Sequence, residues 1–66
     1  MPKVREAIRI VERDGWRFER MKGSHRHFKH PVKLGTVTIA GHPGEDLPKG
    51  TWGNILRQAG LRERNR

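Results

Sequence analysis

The chain has 66 residues, no cysteine, and a formal charge of +8 from 15 Lys+Arg against 7 Asp+Glu. That excludes a disulfide scaffold and a thiolate metal site, and no apolar stretch approaches the ~20 residues of a membrane-spanning helix. A domain of ~60 residues buries only about 60% of its unfolded surface, so one thin core is expected, and the charge favours a polyanionic partner such as nucleic acid, or an acidic protein.

Residues 3–14 read as a helix, with Val4, Ala7, Ile8 and Val11 on one face and Arg5, Arg9 and Arg13 on the other. Pro2 suits the helix start and Gly15 a left-handed C-cap. Residues 16–21 alternate Trp16 and Phe18 against Arg17 and Glu19, as in a half-buried strand. Lys22-Gly23 is a turn. Over residues 24–30, strand period places Ser24, Arg26 and Phe28 on one face and His25, His27 and Lys29 on the other. Lys33 to Gly35 is the next turn, and Thr-Val-Thr-Ile-Ala at 36–40 is a third strand. The Gly- and Pro-rich stretch 41–50 is a loop. A second helix is expected over 52–59, capped by Thr51 or starting a turn earlier with Pro48 in its first turn. Trp52, Ile55, Leu56 and Ala59 form its apolar stripe, and Gly60-Leu61 its Schellman end.

The order is therefore α-β-β-β-α, an α+β domain over 1–61 followed by a frayed basic tail at 62–66. Two amphipathic helices need the same sheet face, so a three-stranded antiparallel sheet with both helices on one side is expected. This is the layout of the double-stranded-RNA-binding domain, whose helices and turns touch minor-groove hydroxyls and phosphates. Trp16, Phe18, Phe28 and Trp52 are assigned to the core, because a domain this small can hardly spare them.

Three of the four histidines fall within Gly23-Ser24-His25-Arg26-His27-Phe28-Lys29-His30-Pro31. Lys22, Arg26 and Lys29 can bind phosphate there, and imidazoles move protons near neutral pH. RNA is the natural substrate of such a set. Its 2′-OH is an internal nucleophile, so a base, a phosphate cradle and the right strand geometry suffice, with no metal and no protein nucleophile.

Gly23-Ser24-His25 ahead of Phe28 and His30-Pro31, then Leu47-Pro48-Lys49-Gly50-Thr51, then Ile55 to Leu61 resemble the HicA toxin family, also called YcfA-like, in this order and spacing. The resemblance runs from the first helix to Leu61. It implies a double-stranded-RNA-binding-like fold, a toxin–antitoxin system, metal-independent endoribonuclease action on mRNA without a cofactor, and inhibition by a HicB antitoxin that covers the active site. It places the functional histidine at His25. His27 departs from the pattern, since members often carry an apolar residue there, and is a candidate second proton carrier.

The expected site is thus His25 as general base, with Lys22, Ser24, Arg26, Lys29 and Lys49 as RNA or phosphate contacts. Ser24 is evenly balanced between such a contact and merely closing its turn, and Lys49 between phosphate binding and a helix start. The Arg5, Arg9 and Arg13 stripe fits RNA or antitoxin contact as well as plain solubility. His27 and His30 lie on opposite strand faces, which argues against a metal pair. His42, before Pro43, is read as a loop residue. A cytoplasmic mRNA interferase is expected, with no membrane partner. The alternatives are a non-catalytic RNA-binding module on the same basic face and a protein-interaction domain that meets an acidic partner.

Overall fold

A computed structural model describes residues 2–61, so the expected basic tail lies outside the described residues. Five elements follow in chain order: α1 Val4–Arg13, β1 Arg17–Lys22, β2 His25–Lys29, β3 Val37–Ala40 and α2 Lys49–Gln58. The sheet is antiparallel with strand order β1-β2-β3. Phe28, Val37 and Ile39 on one sheet face are buried with Val4, Ala7 and Val11 of α1 and Ile55 of α2. Both helices therefore lie on that face, in the α+β arrangement expected, consistent with the double-stranded-RNA-binding layout.

Both helices end as Schellman motifs. The Gly15 N–H donates to the Glu12 carbonyl and the Trp16 N–H to that of Val11; Gly60 and Leu61 repeat this on Arg57 and Leu56. At Gly15 φ is +105°, and an added Cβ would sit 2.7 Å from His30 Nε2, so both backbone and space demand glycine. The β1–β2 turn has two central residues, Gly23 and Ser24. Gly23 has φ +63° and Ser24 a negative φ, the pattern of a type II′ hairpin turn.

Three expectations are corrected. Trp16 is not a strand residue. It closes α1, is 1% exposed, and its indole N–H donates to the Ala59 carbonyl at 3.3 Å. Phe18 is not in the core. It is 53% exposed on the edge strand, meeting only the rim of the core through an edge-to-face contact with Phe28 at 6.0 Å. Thr51 does not cap α2. The helix begins at Lys49 with Pro48 at the N-cap, and no side chain caps it. Leu47, inside the loop, is buried and its N–H donates to the Pro2 carbonyl at 2.7 Å.

The end of the molecule where the helices finish is tied together by His30 and Lys33. The backbone N–H groups of Val32 and Lys33 both donate to His30 Nδ1 at 3.0 Å. The ring proton therefore sits on Nε2, which donates to the Asp14 carbonyl at 2.8 Å. Lys33 Nζ bonds the Asp14 carboxylate and the Ala59 carbonyl, joining the ends of α1 and α2. The hydrogen bond from Lys33 holds the Asp14 carboxyl below the usual carboxylate range. A depressed folded-state value means that the clamp stabilises the fold above about pH 4, the unfolded carboxyl value, and that this is lost as pH falls through the folded value. Both groups keep contact with water, so the contribution is at most about 1 kcal/mol. Asp14→Asn is expected to lower Tm by a few degrees near pH 7. Thermal melts followed by circular dichroism at successive pH values should show that difference vanish in acid.

Candidate nucleic-acid interface

The site is built by the open face of the sheet. Cross-strand partners share a face, so the register assigns its occupants. Lys22, His25 and Ala40 form one row across the three strands; Arg20, His27 and Thr38 form the next; Arg17 and Lys29 complete the face. The helices lie on the other side, so all of these residues border solvent.

A β-bulge at Glu19 makes this arrangement. Phe18 pairs with Phe28 and Arg20 with His27, leaving Glu19 as the extra residue. Regular alternation continued from Phe18 would send Arg20 and Lys22 to the helix side. The bulge resets the parity, so Arg20 and Lys22 join Arg17, which precedes it, on the open face. Neither Arg17 nor Arg20 is singled out by sequence reasoning; alternation does set Arg17 opposite Phe18, but it contains no signal for Arg20.

His25 stands at the start of β2, directly after the type II′ turn, and is exposed. Among the described residues its ring makes no hydrogen bond to the protein. Lys22 flanks it on β1, with side-chain stems about 5 Å apart. On the other side Ala40 presents only a methyl group, which leaves the approach to the imidazole from β3 open. His27 is half-buried, and its Nδ1 lies 3.3 Å from Thr38 Oγ1.

The structure brings Lys22, His25, His27 and Lys29 onto one face, but not the other expected contacts. Ser24 lies exposed at the turn tip, where its carbonyl accepts the Gly41 N–H at 3.1 Å. Arg26 faces the helix side with Phe28, and its guanidinium Nη1 donates to the Gly41 carbonyl at 2.7 Å. It anchors the loop after β3 and does not join His25. Lys49 opens α2 in the helix layer, beside a groove it lines with Pro2, Glu6 and Trp52. That groove holds a carboxylate and no histidine. His30 belongs to the structural clamp and does not join His27. His42 is an exposed loop residue.

Electrostatically the open face is predominantly cationic, with the exposed bulge residue Glu19 beside Arg20 as the acid of that strand. Its paired positions carry Arg17, Arg20, Lys22 and Lys29 and no acid. Two of the acids are neutralised elsewhere, Asp14 by Lys33 and Asp46 by Lys3 at 2.8 Å. Both of those carboxyls are held below their usual range, chiefly by the lysine hydrogen bond. Among the described residues no three His, Asp or Glu side chains converge as metal ligands would. No described helix is long and apolar enough to cross a membrane.

The sequence matches the model of the HicA toxin of bacterial toxin–antitoxin systems over residues 4–61. The chain belongs to the HicA toxin family. The match spans every element of the fold, from the first residue of α1 to the leucine that closes α2. No curated protein matches the chain. Membership makes this chain the toxin of a toxin–antitoxin pair, with an antitoxin as its partner. Within this HicA chain, the Gly-Ser-His segment coincides with the hairpin turn and with the exposed imidazole that follows it.

Proposed function

We propose that this HicA toxin is an endoribonuclease that cleaves mRNA without a metal, with His25 as general base. The carrying observation is an exposed imidazole, free of hydrogen bonds among the described residues, on a face whose paired positions carry four cations and no acid. His25 takes the proton of a ribose 2′-OH, and the 2′-oxygen attacks the adjacent phosphorus in line. The P–O5′ bond breaks, leaving a 2′,3′-cyclic phosphate and a 5′-OH. Lys22, next to His25, offsets the negative charge that develops on the phosphoryl oxygens. Lys29, Arg17 and Arg20 hold the neighbouring phosphates.

The same face suits an acidic surface of a HicB-type antitoxin, which would shut the enzyme off by covering His25. Its location in the cytoplasm follows from mRNA as substrate. The test is incubation of the purified toxin with an RNA oligonucleotide in excess EDTA, with the new ends read by mass spectrometry. Cyclic phosphate and 5′-OH ends are expected. Ends bearing 3′-OH, or cleavage abolished by EDTA, contradict the mechanism. Binding without any cleavage favours a non-catalytic RNA-binding module.

A further inference from the structure

We infer that His27 is the general acid of this chain, protonating the 5′-oxygen as it leaves, and that Thr38 is its positioning residue. The inference rests on the nuclease reading above and adds the group that reading lacks. His25 and His27 are two residues apart on one strand, so both project from the open face. Their Cα atoms are about 7 Å apart along the strand. That spacing leaves room for one phosphodiester between the two rings, with its 2′-oxygen toward His25 and its 5′-oxygen toward His27.

The surroundings of the two rings differ in the way the roles require. His25 is exposed and unpartnered among the described residues. His27 is half-buried and held through Nδ1 by the Thr38 hydroxyl, on the adjacent strand. Thr38 is itself fixed, since its backbone N–H donates to Gln58 Oε1 at 3.1 Å. When the imidazolium Nδ1–H donates to Thr38 Oγ1, Nε2–H is left free for the leaving group. Proton transfer from Nε2 then leaves the Nδ1–H tautomer, whose remaining proton Thr38 Oγ1 can accept. The step balances. The 2′-O–H bond breaks and its proton goes to His25. The O2′–P bond forms, the P–O5′ bond breaks, and the proton of His27 Nε2 passes to O5′. Exchange with water returns both rings to their starting states. Arg20 lies beside His27 in the same row. A cation there holds the phosphate and disfavours a metal ion between the two imidazoles.

A general acid becomes dispensable when the leaving group no longer needs a proton. The cut site is first mapped on an RNA oligonucleotide with the wild-type toxin. That RNA is then resynthesised with sulfur in place of the bridging 5′-oxygen at the mapped bond. His27→Ala is expected to cut the all-oxygen RNA at least about 10²-fold more slowly than wild type, and the sulfur RNA within about threefold of wild type. His25→Ala stays slow on both. Thr38→Val is expected to be slowed on the oxygen RNA and restored on the sulfur RNA, while Thr38→Ser keeps the wild-type rate. Full activity of His27→Ala on oxygen RNA, or equal impairment on both substrates, overturns the assignment while leaving His25 in place. A wild-type toxin that cuts neither RNA overturns the nuclease reading and the assignment together.

Discussion

Expression of the His25→Ala chain without its antitoxin is expected to leave bacterial growth intact, whereas the wild-type chain arrests it. General acid–base groups contribute about 10²–10⁴-fold each, and a toxin slowed that much no longer outpaces mRNA synthesis. The substitution should not act through the fold. The side chain is exposed and makes no hydrogen bond to the described protein, and surface changes of this kind stay within about ±0.5 kcal/mol. Growth curves together with thermal melts separate the two effects. Arrest by His25→Ala at wild-type level would remove the imidazole from the mechanism.

Trp16→Ala is expected to unfold the domain near 37 °C, while Phe18→Ala leaves it folded. The two aromatics look equivalent in an alternating strand, but their surroundings are opposite. Trp16 is 1% exposed, packs edge-on against His30 with centroids 5.2 Å apart, and its indole satisfies the Ala59 carbonyl. Truncating a buried Trp typically costs about 3–5 kcal/mol. Domain stability runs at about 0.05–0.15 kcal/mol per residue, so a chain of this size has little to spare beyond that loss. Phe18 is half in water and should cost no more than about 1 kcal/mol. Circular dichroism melts of the two variants read this contrast directly.

Much of the fold is legible because it is local. The α1 stripe of Val4, Ala7 and Val11 follows helical period, and Gly15 and Gly60 mark the two C-termini by the backbone geometry they permit. The Gly23-Ser24 turn fixes the hairpin register, and β2 period alone puts His25 and His27 on the face opposite Phe28. What is not legible depends on tertiary contacts. The extra residue at Glu19 reverses the parity of the rest of β1 and brings Arg20 and Lys22 onto the open face; no residue type announces it. Trp16 reads as strand because its true partners, Ala59 and His30, are distant in sequence. Leu47 has no periodic neighbours, yet it pins the loop that leads into α2. Arg26 resembles a phosphate ligand by composition, but its place beside Phe28 and the nearby Gly41 carbonyl give it a structural bond instead.

The antitoxin pairing and the charge of the face bear equally on binding and on catalysis, so the decisive measurement separates the two. Affinity for one mapped RNA and its single-turnover cleavage rate are measured side by side for wild type and His25→Ala. The open-sheet account predicts affinities within about threefold of each other and a cleavage rate reduced by at least about 10²-fold. Equal cleavage by both proteins, or a loss of affinity that matches the loss of rate, would contradict it.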